Sequence, residues 1–277
     1  MRRFLVPLAL LAGLLPATVQ AGVYSDLVLA GGPTAYYQFN GDVTDSVGSA
    51  DGTTTALSYV IGSTGPSFDA GNMAGDFENA LNDEVLFGSG IRDGLSGASF
   101  VSAEILFDPR NSTSFDPLFT VRGDTNSAAF NFNFSQNGTS PVIRFGGRSA
   151  GTSGYQNGGN VSVTGLDGFI YAVGVMDLAN DQILTYVNGV LERTQSVSFV
   201  GTTFGSGATS DDAIGGVAGN ANFTYDGLID ELAFYNRELT PSEISARYAA
   251  ITAIPEPTSV GLVGIAGTLV VLRRRRR

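Results

Sequence analysis

The groups able to do acid–base chemistry in this sequence are carboxylates and phenols, because the chain contains no histidine, cysteine or lysine. A Ser-His-Asp triad, a thiol nucleophile, a Schiff-base lysine and a histidine-ligated zinc site are therefore excluded. Glycoside hydrolysis is still open, since it needs two carboxyl groups roughly 5–10 Å apart across a sugar cleft. Without cysteine, the fold must be held together by its core rather than by disulfides.

Two pairs of acidic residues are close enough in the sequence to share a strand. Asp230 and Glu231 are adjacent, so a regular strand directs them to opposite faces of its sheet, where they cannot act as a pair. Glu104 and Asp108 share a face, but Pro109 ends that run and no third acid completes it. We therefore expect no catalytic residues, and a polysaccharide-active glycoside hydrolase or lyase that uses Asp or Glu is the alternative.

Two kinds of ligand suit the remaining polar and aromatic residues. The only metal that the side chains favour is a hard cation bound through oxygen, with calcium as the leading case. A sugar ring stacks on aromatic side chains, and Tyr155 is the candidate glycan contact because we expect it to be exposed in the Gly- and Asn-rich loop 146–160, with Arg148 and Asn157 nearby in sequence. The alternative is a mobile loop whose tyrosine rests on the domain. The lack of tryptophan weakens a high-affinity aromatic platform.

Short strands are the elements expected to position these residues. Apolar runs recur about every ten residues between clusters of Gly, Ser, Thr, Asn and Asp, which favours an all-β sandwich or barrel. In the run 128–134, Phe130, Phe132 and Phe134 alternate with other residues and fall on one face. The other predicted strands are residues 36–39, 85–87, 100–107, 117–121, 142–145, 169–175 and 183–187.

Tight turns and one helix start can also be located. Asn137-Gly138 and Asn188-Gly189 each follow a strand and supply the positive φ that a two-residue hairpin turn requires. Thr240-Pro241-Ser242-Glu243 is a capping box with proline at the first helical position, so a short helix begins there. Residues 22–253 contain no long linker or internal repeat, which predicts a single domain.

Five segments of the chain resemble, in order, those of laminin-G-like domains. They are residues 35–42 with the acidic loop that follows, 71–77, 82–85, 183–190 with its Asn-Gly turn, and 223–244. The resemblance implies a concanavalin A-like jelly roll, a sandwich of two antiparallel sheets whose first and last strands are adjacent, with one short C-terminal helix. The chain departs from the family in lacking the tryptophan that often precedes the strand at residues 169–175.

The resemblance also implies a place for calcium. In laminin-G-like and related jelly-roll domains, an aspartate of the closing strand can meet oxygens of the first strand's loop around a structural calcium ion. Asp230 matches that aspartate by position, and the loop Asn40-Gly41-Asp42 is its expected neighbour, so Asp230 and Asp42 are the candidate ligands. The alternatives are that Asp230 pairs with Arg237 or caps a turn, and that Asp42 is an ordinary Asx-turn residue. The Glu-x-Asp-x-x-Glu strand of related jelly-roll glucanases is absent.

Residues 1–21 have the features of a secretory signal peptide. Arg2 and Arg3 give a positive start, residues 4–15 form an apolar core too short to span a membrane stably, and Val19-Gln20-Ala21 is a small-residue cleavage site. We predict cleavage after Ala21. The residues around the arginine pair do not extend a twin-arginine pattern, which favours the general secretory route.

Residues 254–277 form a second signal. The motif Pro255-Glu256-Pro257 precedes an uncharged apolar stretch, residues 258–272, which as a helix would span about 22 Å, short of the roughly 30 Å hydrocarbon core of a bilayer. The chain ends on five arginines expected to stay on the cytoplasmic side: Arg273, Arg274, Arg275, Arg276 and Arg277. These parts together resemble the PEP-CTERM sorting signal of Gram-negative bacteria. That resemblance implies an exosortase as partner, transient anchoring in the inner membrane, and then a place at the cell surface or in the extracellular matrix. The alternative is an ordinary single-span tail anchor.

Between the two terminal signals the chain is strongly acidic. Eight of the 15 basic residues and 25 of the 26 acidic residues lie within residues 22–253, so this domain has a net charge of −17. Such a surface repels nucleic acid and anionic lipid, which excludes nucleic acid as a partner. We expect an exported, non-enzymatic protein that binds a polysaccharide or a surface protein in adhesion or matrix structure. A structural matrix protein without a discrete ligand is a further alternative.

Overall fold

The structure, a computed structural model, describes residues 23–54, 57–61, 72–110, 116–122, 128–135, 140–149, 154–205, 210–220 and 222–253. The predicted signal-peptide site at Ala21, the predicted sorting signal and the Asn137-Gly138 turn lie outside these residues. Residues 21–253 form one compact unit. Within the described ranges, no helix is long and apolar enough to cross a membrane.

The fold consists of two antiparallel sheets. The first sheet contains β1 (Ala35–Tyr37), β2 (Ser58–Ile61), β3 (Met73–Phe77), β5 (Phe100–Pro109), β10 (Ile170–Asp177), β11 (Gln182–Val187), β12 (Val190–Ser196) and β14 (Gly227–Tyr235). The second sheet contains β4 (Val85–Leu86), β6 (Asp116–Arg122), β7 (Ala128–Ser135), β8 (Val142–Gly147), β9 (Gln156–Ser162) and β13 (Ala213–Ile214). The strand order is β12-β11-β10-β5-β14-β3-β2 in the first sheet, with β1 also paired to β14, and β4-β13-β6-β7-β8-β9 in the second.

This arrangement confirms the predicted jelly-roll sandwich. Each strand predicted from the sequence overlaps a strand of the structure, with bounds that differ by a few residues. The first and last strands are adjacent, since Ala35–Tyr37 pairs with residues 232–234 of β14. The predicted Asn188-Gly189 turn joins β11 to β12, and both residues have the positive φ of a two-residue hairpin turn, 49° and 80°.

The main core lies between the two sheets and is rich in phenylalanine. The alternation predicted on β7 is confirmed, because Phe130, Phe132 and Phe134 are all buried in this core. Phe130 packs edge-on against Phe145 of β8, with ring centroids 4.8 Å apart. Burying each such side chain contributes about 1.5–3 kcal/mol. The phenylalanines therefore determine which face of the second sheet is turned toward solvent.

Two helices cover the outer face of the first sheet. They are α1 (Val23–Ala30) and α3 (Pro241–Thr252), and a third helix, α2 (Gly90–Leu95), lies elsewhere in the chain. The capping box predicted at the start of α3 is confirmed, with Thr240 accepting from the Glu243 amide and Glu243 accepting from the Thr240 amide. The sequence did not predict α1 or α2. Helices this short are marginal alone and depend on packing, here of Tyr24 and Val28 against the sheet.

Beneath these helices lies a buried polar network centred on Glu104. Its carboxylate accepts hydrogen bonds from Tyr171 Oη at 2.6 Å and from Tyr235 Oη, and it pairs with Arg247 Nη1 at 2.9 Å. The Arg247 and Glu104 side chains are 2% and 0% exposed. The network joins β5, β10, β14 and α3 and so fixes the C-terminal helix to the sheet.

Candidate functional site

The outer face of the second sheet carries polar side chains because the phenylalanines point inward. On β7, Asn131 and Asn133 alternate with the buried phenylalanines and therefore project outward. Asn133 lies opposite Arg144 on β8 and opposite Pro117 on β6, and Asn131 lies opposite Gly146. Opposed residues of neighbouring strands share a face, so the backbone register assembles these groups on the face of the sheet that points away from the main core.

A groove of about 320 Å³ lies on this face. We call it the Tyr155 groove. Its polar lining is Arg122, Asn131, Asn133, Asn220 and Arg144, and its less polar lining is Tyr155, Phe223, Pro117 and Val217. It contains guanidinium and amide donors, amide acceptors and two aromatic rings. Among its described lining residues there is no carboxylate.

Tyr155, one of the residues that line the groove, is held in place by a hydrogen bond and by close packing. Its hydroxyl donates to Asn131 Oδ1 at 2.6 Å, and Asn131 Nδ2 in turn lies 3.3 Å from Asn133 Oδ1. The ring lies over Gly146, where a Cβ atom would overlap Tyr155 Oη and come within 2.7 Å of the Gln156 carbonyl oxygen. Glycine at position 146 therefore leaves the space that the phenol occupies.

The expectation of an exposed tyrosine in a loop at residues 146–160 is corrected by the structure. The segment contains the end of β8 and most of β9, and Tyr155 is half-buried rather than exposed. Three of the glycines that suggested a loop, Gly146, Gly158 and Gly159, leave no room for a Cβ atom because of close packing. A Cβ atom at Gly158, for example, would lie 2.6 Å from Ile183 Cγ2. Of the two residues expected near Tyr155, Asn157 is exposed on β9 and Arg148 is buried just beyond β8.

Positive charge surrounds the tyrosine hydroxyl. Burial raises the pKa of Tyr155, while the nearby charges of Arg144 and Arg148 lower it. Burial also lowers the pKa of Arg122, and the charge of Asp212 opposes that change. Arg122 is only 7% exposed. The groove thus presents cationic groups in a partly desolvated setting, where their interactions with a ligand are stronger than in bulk water.

Asp212 supports the Arg122 end of the groove from inside the protein. Its carboxylate accepts from the backbone amides of Arg122 and Arg92, each at 2.9 Å, and pairs with Arg92 Nη1 at 2.7 Å. Burial raises the pKa of Asp212 to about 6, and these hydrogen bonds limit the rise. The role of Asp212 is to position β6 and α2, since it is fully buried.

Most of the groove residues were missed by sequence reasoning. The alternation on β7 contained a usable signal, because a strand that buries Phe130, Phe132 and Phe134 in the core places the asparagines between them on its opposite face, where Asn131 and Asn133 are 9% and 4% exposed. No comparable signal marks Arg122, Arg144 or Phe223, which reach the groove through strand order and the turn before β14. Phe223 is 43% exposed, unusual for so large an apolar ring.

The expectation that Asp230 and Glu231 point to opposite faces is wrong. The pairing of β14 with β5 shifts register between Asp230 and Ala233, and Glu231 has φ of 52°, so one extra residue bulges from β14. Asp230 lies opposite Leu106, a residue of the outer core, and Glu231 accepts from Tyr36 Oη in that same core. Both carboxylates therefore lie on the helix-covered side, fully buried and away from the Tyr155 groove.

The structure places the two candidate calcium ligands in different surroundings. Asp230 accepts from Asn72 Nδ2 at 2.6 Å and from the Glu231 amide at 2.8 Å, so both of its oxygens are in use. Asp42 is exposed and accepts from the Thr44 amide at 3.0 Å, as in an Asx turn. No group of three or more acidic side chains in the described ranges is arranged to hold a metal ion.

Comparison with known proteins agrees with the fold. Residues 82–245, more than half of the chain, match the laminin G model of the concanavalin A-like lectin/glucanases superfamily. No curated protein matches the chain significantly.

Several solved structures share the architecture. Domain 4 of AbnA, a GH43 extracellular arabinanase from Geobacillus stearothermophilus, in complex with arabinotriose, is 21% identical, with a TM-score of 0.55 over 78% of this chain and 98% of that domain. The binding domain of Paraclostridial Mosquitocidal Protein 1 is 11% identical, with a TM-score of 0.57 over 80% of this chain and 53% of that one. The binding domain of botulinum neurotoxin DC in complex with SialylT is 11% identical, with a TM-score of 0.52 over 79% and 51%. This chain thus spans about half of each toxin domain, and at these identities the likeness establishes the fold alone.

Proposed function

The chain belongs to the concanavalin A-like lectin/glucanases superfamily, and on that premise we propose that its Tyr155 groove binds a polysaccharide without cleaving it. The observation that carries this proposal is the composition of the groove. Guanidinium and amide groups are suited to sugar hydroxyls, and the rings of Tyr155 and Phe223 are suited to the apolar faces of sugar rings. A related fold has been seen with arabinotriose bound, which is consistent with a sugar ligand.

A binding role is preferred over hydrolysis because of what lines the groove. Hydrolysis of a glycosidic bond needs an acid and a base or nucleophile, both normally carboxyl groups, on either side of the bond. The described lining of the Tyr155 groove contains neither Asp nor Glu. Release of reducing sugar from any polysaccharide by the purified domain would favour the alternative of a glycan-active enzyme.

The binding test uses residues 22–253, which contain every described helix and strand and lie within the compact unit. We expect saturable binding to particular members of a polysaccharide panel, and a loss of about tenfold or more for Tyr155→Ala or Phe223→Ala. Leu191→Ala is the matched control, since Leu191 on β12 is 47% exposed and Phe223 is 43% exposed. Binding that is unchanged in both groove variants would refute this location. No binding to any polysaccharide would favour a structural matrix protein or a protein partner.

Export and sorting complete the proposal. The signal peptide directs the chain out of the cytoplasm and is cleaved after Ala21. The tail then anchors it transiently in the inner membrane, where an exosortase acts near Pro255-Glu256-Pro257, and the domain reaches the cell surface or matrix of a Gram-negative bacterium. Mass spectrometry of the secreted chain tests both cleavages. Replacing the three motif residues with alanine should leave the tail attached and the protein in the membrane fraction.

Calcium binding at Asp230 and Asp42 stays a prediction. The same panel measured with calcium and with a chelator tests whether the ion is needed for binding. A calcium-dependent rise in melting temperature that Asp230→Asn abolishes would establish the site, and equal melting with and without calcium would remove it.

A further inference from the structure

We propose that the ligand of the Tyr155 groove is an acidic polysaccharide, whose uronate carboxylates are recognised by Arg122 and Arg144. The inference rests on the proposed function, because it names the chemical class of glycan that the same groove takes. It concerns the charge of the ligand, which the fold and its relatives leave open.

The distribution of charge over the domain is the first observation. Residues 22–253 have a net charge of −17 and contain only eight arginines and no lysine. Two of the eight line the Tyr155 groove, and no Asp or Glu is among its described lining residues. A third, Arg148, is near enough for its charge to act on the Tyr155 hydroxyl. The groove is therefore a local cationic site on an acidic protein, which attracts anions that the rest of the surface repels.

The positions of the two arginines are the second observation. Arg122 is on β6 and Arg144 is on β8, the two strands that flank β7. Neighbouring strands are about 4.8 Å apart, so the two arginine-bearing strands are about 10 Å apart on either side of β7. Arg122 lies opposite Ala128 and Arg144 lies opposite Asn133, so the two residues are also offset by five positions, or about 17 Å, along β7. A polymer with repeated carboxylates that runs obliquely over β7 can reach both guanidinium groups, whereas a single small anion reaches one.

The chemistry of the guanidinium group is the third observation. Arginine binds carboxylates through two parallel hydrogen bonds and is more weakly hydrated than lysine, which suits a desolvated site. Arg122 is 7% exposed, and its Nε makes no hydrogen bond within the described part of the chain. A buried cation is unfavourable without a counter-charge, and Asp212 supplies part of one from the interior. An incoming carboxylate would supply the rest from the groove side.

The decisive test compares polymers that differ only at the uronate carboxyl group, which is an anionic carboxylate in one form and an uncharged methyl ester in the other. Binding of residues 22–253 is measured to polygalacturonate and to alginate, and to the fully methyl-esterified form of each. We expect at least about tenfold tighter binding to the acid form of one of them, the value of one charge-assisted hydrogen bond. The preference should shrink as salt is raised from low to high concentration.

Variants locate the effect. Arg144→Gln should weaken binding of the acid polymer about tenfold while leaving binding of the ester within about twofold. Arg144→Lys should restore part of the preference, since it keeps the charge. Arg193→Gln is the matched control, because Arg193 is exposed on β12 of the other sheet. Melting temperatures of all variants confirm that the domain is folded.

The outcomes separate the two proposals. Equal affinity for the acid and ester forms, or a preference for acid that Arg193→Gln removes as well as Arg144→Gln, would overturn the inference. If a neutral polysaccharide binds in the groove while neither acid polymer binds, the inference of an acidic ligand is overturned, but the proposal that the groove binds a glycan still holds. If no acidic or neutral polysaccharide binds to the domain, the proposed function itself is overturned.

Discussion

The buried pair formed by Arg247 and Glu104 offers a sharp test of how the domain is stabilised. Replacing Arg247 with methionine keeps much of the side-chain volume but removes the charge that faces Glu104 at 2.9 Å. Burial by itself would lower the pKa of Arg247, yet Glu104 and the surrounding phenols raise it above its usual value. The charged arginine is therefore the form that the site stabilises.

The size of the effect follows from burial. Arg247 is 2% exposed and Glu104 is 0% exposed, so the variant leaves a carboxylate with no cation in a dry site. Breaking a buried pair in this way costs about 3–5 kcal/mol. For a domain of this size each kcal/mol lowers the melting temperature by about 2–4 °C, so a fall of roughly 6–20 °C is expected. The two phenols that donate to Glu104 favour the lower half of that range.

The assay is thermal and urea unfolding of residues 22–253, with two further variants. Arg110→Met is the control, because Arg110 pairs with Asp76 near the surface, is 40% exposed, and should cost at most about 1 kcal/mol. The double variant Glu104→Gln with Arg247→Met should recover most of the loss, since it leaves no unpaired buried charge. If Arg247→Met is no less stable than Arg110→Met, the reasoning from burial is refuted.

Three further predictions follow from individual groups. Since the folded-state pKa of Asp212 is raised to about 6 from 3.8, the folded state holds this proton more tightly, and stability should fall by about 2–3 kcal/mol as pH rises from about 4 to 6. Urea midpoints measured across that interval should change less with pH in Asp212→Asn than in the wild-type domain. If the midpoints of the two proteins change with pH in parallel, the pH dependence does not come from Asp212. Hydrogen bonding from Arg237 lowers the pKa of Glu243 to about 2, so its stabilising contribution is present above pH 4.5 and is lost as pH falls toward 2. Glu243→Gln should flatten the acid limb of the stability profile, and an unchanged limb would show that other carboxylates dominate it. Gly146→Ala should displace Tyr155, cost about 1–3 kcal/mol by overpacking and weaken glycan binding. Gly201→Ala, where the nearest atom is 3.6 Å from the added Cβ, should do neither, and equal effects of the two would exclude the steric explanation.

Features that depend on neighbouring residues in the chain were predictable. The capping box at Thr240 and Glu243 needs only one helical turn, and the Asn188-Gly189 turn needs only its own positive φ. The phenylalanine alternation on β7 follows from the two-residue period of a strand. Such features are set by local sterics and hydrogen bonding, which act over a few residues.

The β-bulge in β14 illustrates where local reasoning fails. From the sequence, the adjacent residues Asp230 and Glu231 are expected to point to opposite faces of the sheet, because successive side chains of a regular strand alternate between the two faces. The extra residue appears only when β14 is paired with β5, which lies more than a hundred residues earlier in the chain. Pairing therefore decided on which side of the sheet both carboxylates are buried.

By itself, the sequence determined the chemical limits of this protein and its all-β class, and its resemblance to laminin-G-like domains implied the two-sheet architecture. Residue types are sufficient to exclude histidine, cysteine and lysine chemistry, and hydrophobic periodicity is sufficient to predict strands with one buried face. The tertiary structure alone decided the Tyr155 groove. Arg122, Arg144, Tyr155 and Phe223 come from four separate segments, and they meet because of the strand order β6-β7-β8-β9 and the turn before β14. Long-range pairing of this kind depends on how the whole core packs, and no local pattern along the chain encodes it.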